Sequence, residues 1–236
     1  MTPEELTASL QAALPSDLRA VVLYGSAAAG DHVPGSSDCN VLVVVESLSK
    51  ATLDALAAPV RAWTRGGQRP PLVFTQQQLV ASADAFPIEI TDIQKCRRIL
   101  FGEDPLAGVQ VALANYRLEL ERELKARLLQ LREDYLLAAG KPRRVLELLV
   151  ESLSAFLVLF RAALRLYQDE APMAKLDALR ALAGHLGLDP QAFLTIQALR
   201  EGKLKARDVS PPALFEKYLA SIEAIADAVD RHMHKE

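Results

Sequence analysis

The sequence predicts an α+β protein in which a small mixed-sheet domain is followed by a bundle of helices. In the N-terminal part, short apolar and β-branched segments bounded by Gly, Pro or Ser alternate with helical patterns. From Val109 onward, Gly and Pro occur mainly between long stretches of helical periodicity. The segment 102–108, which contains Gly and Pro, separates the two patterns. We therefore expect two domains, residues 1–105 and 106–236.

The first predicted elements are a helix and a buried strand. Thr2 is a good N-cap and Pro3 suits the first helical position, which together predict a helix that ends at Leu14. The next segment, Leu18–Tyr24, is short, apolar and β-branched, as buried strands are. In chain order, the elements predicted after it are a short helix over 26–30, a strand over 41–45, a helix over 49–63 and strands over 72–75 and 87–93.

Five long helical patterns fill the remainder of the chain. The predicted helices cover 109–139, 142–168, 173–187, 190–201 and 211–234. The first of them carries an apolar stripe at helical spacing, formed by Leu113, Tyr116, Leu120, Leu124, Leu128 and Leu131. This pattern predicts a helical bundle, and its apolar faces would also permit a homodimer.

Composition and charge narrow the classes of function. The 236 residues are 50% hydrophobic, and the net charge of −3 gives no electrostatic argument for a nucleic-acid or membrane partner. The most apolar helical stretch, Val145–Leu159, contains Glu147 and Glu151 and is too short to span a bilayer. The two cysteines, Cys39 and Cys96, form neither a disulfide framework nor a metal-ligand spacing. Because the N-terminal segment is also polar and acidic, we expect a cytoplasmic protein.

The segment from Gly25 to Val45 carries the strongest functional signal. Gly25 permits a tight turn directly after a buried strand, and Ser26 places backbone N–H groups at the start of the predicted short helix, a good position for phosphate. Asp38 and Asn40 are two residues apart at the next strand, so both side chains would face one side of the sheet. Their oxygens could bind one divalent cation that also contacts the phosphates of a nucleotide.

This arrangement resembles the polymerase-β-like nucleotidyltransferase superfamily. The signature of that superfamily is an apolar strand, Gly-Ser, a short spacer and then Asp-x-Asp in a second apolar strand, and residues 18–46 follow the same order. The resemblance implies that Gly25 and Ser26 hold the phosphates of an NTP and that Asp38 and Asn40 carry Mg²⁺. It also implies transfer of a nucleoside monophosphate to a hydroxyl group of a small molecule or a protein.

Two departures from the superfamily pattern leave two functions open. Asn40 is neutral and stands where the signature has a second Asp, so the pair brings one negative charge fewer to a cation. Three alanines, Ala27 to Ala29, follow Gly-Ser where many relatives carry a basic side chain. One hypothesis is an active Mg²⁺-dependent nucleotidyltransferase. The alternative is a degenerate protein of this fold that binds nucleotide or a protein partner without turnover.

A third acid is expected from the predicted strand over 87–93. Superfamily members bring such a carboxylate from a neighbouring strand, as a metal ligand or as the general base for the acceptor hydroxyl. Alternation places Ile88 and Ile90 on one face of the strand and Glu89 on the other, so we choose Glu89 as catalytic acid and keep Asp92 as the reserve. The helical half is similar to the bundles that supply the acceptor pocket in aminoglycoside-modifying members, and to HEPN-type helical domains.

Overall fold

The computed structural model describes residues 1–28, 39–172 and 174–232. The chain divides into two units, Met1–Asn115 and Tyr116–Glu236. The described part of the first unit holds a mixed sheet and four α-helices, and that of the second unit is helical. The α+β class predicted from the sequence is therefore confirmed. The limits 1–105 and 106–236 remain a prediction about independently folding domains.

Four strands form the sheet of the first unit in the order β3-β2-β1-β4. Their bounds are β1 (Leu18–Tyr24), β2 (Asn40–Val45), β3 (Leu72–Thr75) and β4 (Arg97–Gly102). The central strand β1 is antiparallel to both β2 and β4, whereas β2 and β3 are parallel. In this register the last residue of β1, Tyr24, lies opposite Asn40 on one side and Arg97 on the other. The end of β1 is thus flanked by the starts of β2 and β4.

Both faces of the sheet are buried, which explains why β1 and β2 are continuously apolar. Helices cover the sheet, and their bounds are α1 (Pro3–Ala13), α2 (Lys50–Thr64), α3 (Gln76–Ala81) and α4 (Pro87–Lys95). On one face, Val21 and Val43 belong to a core that includes Leu10 of α1 and Trp63 of α2. The other face, with Val22, Leu42 and Val44, packs with Leu79 of α3 and with Ile90 and Ile93 of α4.

The strand predicted over 87–93 is wrong, because this segment lies in helix α4. Pro87 lies in the first helical turn, where its fixed φ suits a helix and its missing N–H costs no hydrogen bond. Ile90 and Ile93 are three residues apart and both are buried, so these β-branched residues follow helical spacing rather than alternation. The strand that pairs with β1 follows directly as β4, whose two leading arginines hide its apolar character.

Helices make up the described part of the second unit. Their bounds are α5 (Leu113–Ala138), which begins just before the division, α6 (Pro142–Leu164), α7 (Lys175–Leu186), α8 (Gln191–Arg200) and α9 (Pro211–Asp230). Aromatic rings from three of these helices meet in the core: the centroids of Phe156 and Tyr218 are 5.9 Å apart, and those of Phe160 and Phe193 are 5.2 Å apart, both pairs edge to face. Across the described ranges, no helix is long and apolar enough to cross a membrane.

Candidate functional site

The turn that follows β1 is fixed by two hydrogen bonds to Cys96, the residue that ends α4. The N–H of Gly25 donates to the carbonyl oxygen of Cys96 at 3.0 Å, and the Cys96 thiol donates to the carbonyl oxygen of Gly25 at 3.2 Å. Gly25 has φ +76°, in the left-handed region that favours glycine. A 3₁₀ turn, Gly25–Ala27, begins here. The short helix predicted over 26–30 lies partly outside the described residues, which end at residue 28. The backbone of this turn therefore has a defined position beside α4.

Asn40 packs against this turn. A methyl group on Gly25 would lie 3.2 Å from Nδ2 of Asn40, so the amide of Asn40 occupies the space that a side chain at residue 25 would need. The start of β2 is held from the other direction, since the N–H of Cys39 donates to Oε1 of Gln68 at 2.7 Å. The structure thus brings together two of the predicted site residues, Gly25 and Asn40. Asp38 and the side chain of Ser26 lie outside the described part of the chain.

Tyr24 lies on the same face of the sheet as Asn40. Tyr24 pairs with Asn40 across the two strands, and it packs against the core that α4 covers, which contains Val22 and Leu42. The pKa of the Tyr24 hydroxyl is raised, first by burial and then by the negative charge of Glu89; Asp92 adds to the effect and Arg69 opposes it. Both candidate acids therefore act electrostatically on a group at the end of β1.

The two candidates for the third acid lie on a helix and not on a strand. Glu89 lies in the first turn of α4 and is exposed, whereas Asp92 is half-buried. The two residues are three positions apart, so they lie on the same side of α4. The prediction that Glu89 projects from a strand over the Asp38 face is wrong. Glu89 stays a predicted catalytic acid. Its negative charge contributes to the raised pKa of Tyr24.

The arginines at the start of β4 are engaged in ion pairs. The guanidinium group of Arg97 contacts both carboxylate oxygens of Asp104, at 2.6 to 3.2 Å, and that interaction is the first cause of a lowered pKa of Asp104. Arg98 donates to Glu4 of α1 at 2.9 Å. These pairs tie β4 to the following loop and to the first helix. Their positive charge is already balanced by carboxylates.

The donor atoms at this edge suit a hard cation only in part. Among the described residues, no group of three or more His, Cys, Asp and Glu side chains is placed to hold a metal ion. The carbonyl oxygen of Asn40 is a donor that Mg²⁺ accepts, but it carries no charge. A magnesium site at the start of β2 therefore depends on the carboxylate of Asp38, which stays a prediction.

Sequence reasoning missed three residues of this edge: Tyr24, Arg69 and Cys96. The signal for Tyr24 was present, because residues 20, 22 and 24 of a strand alternate onto one face and Tyr24 directly precedes Gly25. No local pattern indicates the hydrogen bonds between Cys96 and Gly25, which join residues 71 positions apart in the chain.

Comparison with solved structures identifies a protein of similar fold. A spectinomycin adenyltransferase, AAD(9), from Enterococcus faecialis, solved as a crystal structure with ATP and spectinomycin, matches with a TM-score of 0.59. The match covers 97% of this chain and 98% of that chain, at 12% sequence identity. No protein-family model and no curated protein matches the chain. The nucleotidyltransferase fold predicted from residues 18–46 is therefore confirmed.

Proposed function

We propose that this protein is a Mg²⁺-dependent nucleotidyltransferase that moves a nucleoside monophosphate from an NTP to a hydroxyl group of a small molecule or a protein. The observation that carries the proposal is the corner where β1 ends: the Gly25 turn, the Asn40 amide and the field of two carboxylates meet there. The fold agrees, since it is shared with an adenyltransferase solved with ATP and an acceptor molecule.

Phosphate binding is assigned to the Gly25–Ser26 turn. The N–H of Gly25 is donated to Cys96, so the N–H groups of the residues that follow it in the turn are the ones assigned to an anion. Gly25 leaves the backbone uncovered at this point except for the amide of Asn40. Two hydrogen bonds to Cys96 hold the turn before any ligand arrives, which lowers the entropic cost of binding.

The metal is assigned to Asp38 and Asn40. Both supply oxygen donors, as Mg²⁺ requires, and Asp38 comes two positions before Asn40, the first residue of β2. When bound, Mg²⁺ would neutralise phosphate charge. The single carboxylate makes this a weaker cation site than one with two aspartates.

The chemistry assigned to Glu89 is proton removal. The oxygen of the acceptor hydroxyl attacks the α-phosphorus of the NTP, the bond between that phosphorus and the bridging oxygen to the β-phosphate breaks, and pyrophosphate leaves. The proton of the hydroxyl passes to the carboxylate of Glu89. Asp92, on the same side of α4, is the alternative acceptor for this proton.

A second function is favoured by Asn40 itself. With a neutral residue in the metal pair, the protein can retain the fold and a nucleotide-binding turn while losing turnover. In that case it binds a nucleotide or a protein partner and releases no pyrophosphate. The two functions differ in one measurable product, the labelled acceptor.

Label transfer tests the proposal. The full chain is incubated with α-³²P-labelled ATP or GTP, Mg²⁺ and a panel of hydroxyl acceptors that includes spectinomycin, and the protein itself is checked for label. We expect transfer by the wild type, no transfer by Asp38→Ala and faster transfer by Asn40→Asp. Glu89→Gln should lower the rate by roughly 10²- to 10⁴-fold if Glu89 is the base.

The matched control is Asp54→Asn, which removes an exposed acid of α2 whose partner is Lys50, 2.6 Å away. This variant should transfer label at the wild-type rate. Loss in Asp92→Asn with no loss in Glu89→Gln would assign the base to Asp92. Nucleotide binding without transfer, even after Asn40→Asp, would support the second function. If neither Asp38→Ala nor Asn40→Asp alters transfer, the proposed transferase function is wrong.

A further inference from the structure

A cavity lies wholly within the helical unit. Its volume is about 630 Å³, and its walls come from the middle of α6, the start of α7 and the end of α8. Leu157 and Leu176 supply apolar walls, and Gln197 supplies an amide. Three basic side chains also line it: Lys175, Arg180 and Arg200.

Two of these cations have no carboxylate partner in the described residues. Arg180 is paired with Asp177 at 2.7 Å. Glu201, the other acid of the lining, contacts Lys203 and Gln197, and its pKa is lowered first by these contacts and also by the charge of Arg200. Arg200, in contrast, donates to a neutral acceptor, the hydroxyl of Ser154. Lys175 forms no ion pair within the described ranges. The cavity therefore has a positive excess that its own acids do not balance.

Like charges crowd Lys175. Its pKa is lowered, first by burial around the ammonium group, although the residue as a whole is exposed, and then by the positive charges of Arg161 and Arg200. Repulsion between cations raises the free energy of the ligand-free protein. A bound anion would relieve that repulsion, so the same arrangement that is unfavourable when empty favours a negatively charged ligand.

The start of α7 adds to this preference. Ala174 is the N-cap of α7 and offers no side-chain hydrogen bond to the first N–H groups, and it lines the cavity with Lys175 and Leu176. The positive end of the helix dipole is thus at the same wall as the ammonium group. The start of α7 and the three cationic side chains favour a negatively charged ligand, whereas the carboxyl end of α8, which also lines the cavity, carries the opposite partial charge.

We propose that this cavity binds a small molecule through a phosphate group held between Lys175 and Arg200, with the body of the molecule packed on Leu157 and Leu176. Arginine and lysine side chains, and the first N–H groups of a helix, are groups that recognise phosphate oxygens. The apolar walls favour a phosphate ester over free phosphate. This site is separate in sequence from Gly25, Asn40 and Glu89, and it does not depend on the function proposed for them.

Phosphate titration of the ¹⁵N-labelled full chain tests the site. Sodium phosphate is added at constant ionic strength, set with sodium chloride, and the amide signals of Lys175 and Leu176 are followed. We expect saturable shifts that weaken about tenfold in apparent affinity in Lys175→Gln and in Arg200→Gln. Lys175→Arg should retain the affinity, which separates loss of charge from loss of fold. The control Lys217→Gln, an exposed cation of α9, should match the wild type.

Phenyl phosphate tests the apolar walls. It should bind more tightly than inorganic phosphate to the wild type, and Leu176→Ala should remove most of that advantage while leaving the affinity for inorganic phosphate unchanged. Shifts that do not saturate, or a loss of affinity in Lys217→Gln equal to that in Lys175→Gln, would show general charge screening and overturn the proposal.

Discussion

Replacing Gly25 by alanine tests the contact that builds the corner at the end of β1. A residue with a Cβ pays about 1–2 kcal/mol to adopt the left-handed backbone at φ +76°. The added methyl group would also lie 3.2 Å from Nδ2 of Asn40, so the Asn40 amide must move by a few tenths of an ångström. A displacement of this kind costs at most roughly a further 0.5–1.5 kcal/mol. Gly67→Ala is the matched control, because Gly67 has φ +82° and open space around it.

The assay is urea unfolding followed by tryptophan fluorescence. Trp63 is the single tryptophan of the chain and is buried in the first unit, which also contains both glycines. We expect Gly25→Ala to lose more stability than Gly67→Ala, and the excess to disappear when Asn40→Ala is added, since the two sites are coupled. Equal losses for the two glycines, or an excess that persists without the Asn40 side chain, would refute the contact.

Three further predictions concern the same unit. Gly102→Ala should lose more than about 4 kcal/mol in urea unfolding, because a methyl group there would lie 1.9 Å from the carbonyl oxygen of Arg19. Arg97 lowers the pKa of Asp104 in the folded protein, so Asp104 stabilises the fold above its unfolded pKa, and this stabilisation is lost as pH falls through the folded pKa. In Asp104→Asn, the free energy of unfolding should therefore fall less as the pH is lowered. The pKa of Tyr24 is raised in the folded protein, so its contribution to the free energy of unfolding is present below the unfolded pKa and is lost as pH rises through the folded pKa. In Tyr24→Phe, the free energy of unfolding measured above pH ~10 should therefore depend less on pH.

Much of the fold follows from local patterns. The runs Leu18–Tyr24 and Val41–Val45 are apolar at every or nearly every position, and both form strands buried on two faces. Helix starts at Pro3 and Pro142 follow from the suitability of proline for the first turn. Gly25 was predictable because only a tight turn explains glycine directly after such a strand, and its φ agrees.

The errors have a physical cause in residues 87–102. Ile88, Ile90 and Ile93 satisfy strand alternation over one stretch and helical spacing over another, and packing against the sheet decides for the helix. The true edge strand begins with Arg97 and Arg98, whose ion pairs with distant carboxylates make charged residues acceptable there. Such pairs depend on tertiary structure and leave no local signal.

The sequence indicated which residues form the candidate site, but not which of them are in contact. The contact of Gly25 with Asn40 follows from the strand register, in which Tyr24 pairs with Asn40, and the spacing in the sequence leaves that register undetermined. The electrostatic effect of Glu89 on Tyr24 depends on where α4 crosses the sheet. The role of Asp38 remains a prediction from its spacing to Asn40.

Calorimetric titration of ATP, with and without Mg²⁺, tests the central claim that a nucleotide binds at the end of β1. The account predicts binding by the wild type that strengthens with Mg²⁺, an affinity for the Mg²⁺ complex about tenfold higher in Asn40→Asp, and loss of the Mg²⁺ effect in Asp38→Ala. An affinity that none of Mg²⁺, Asn40→Asp and Asp38→Ala alters, or no binding at all, would contradict it.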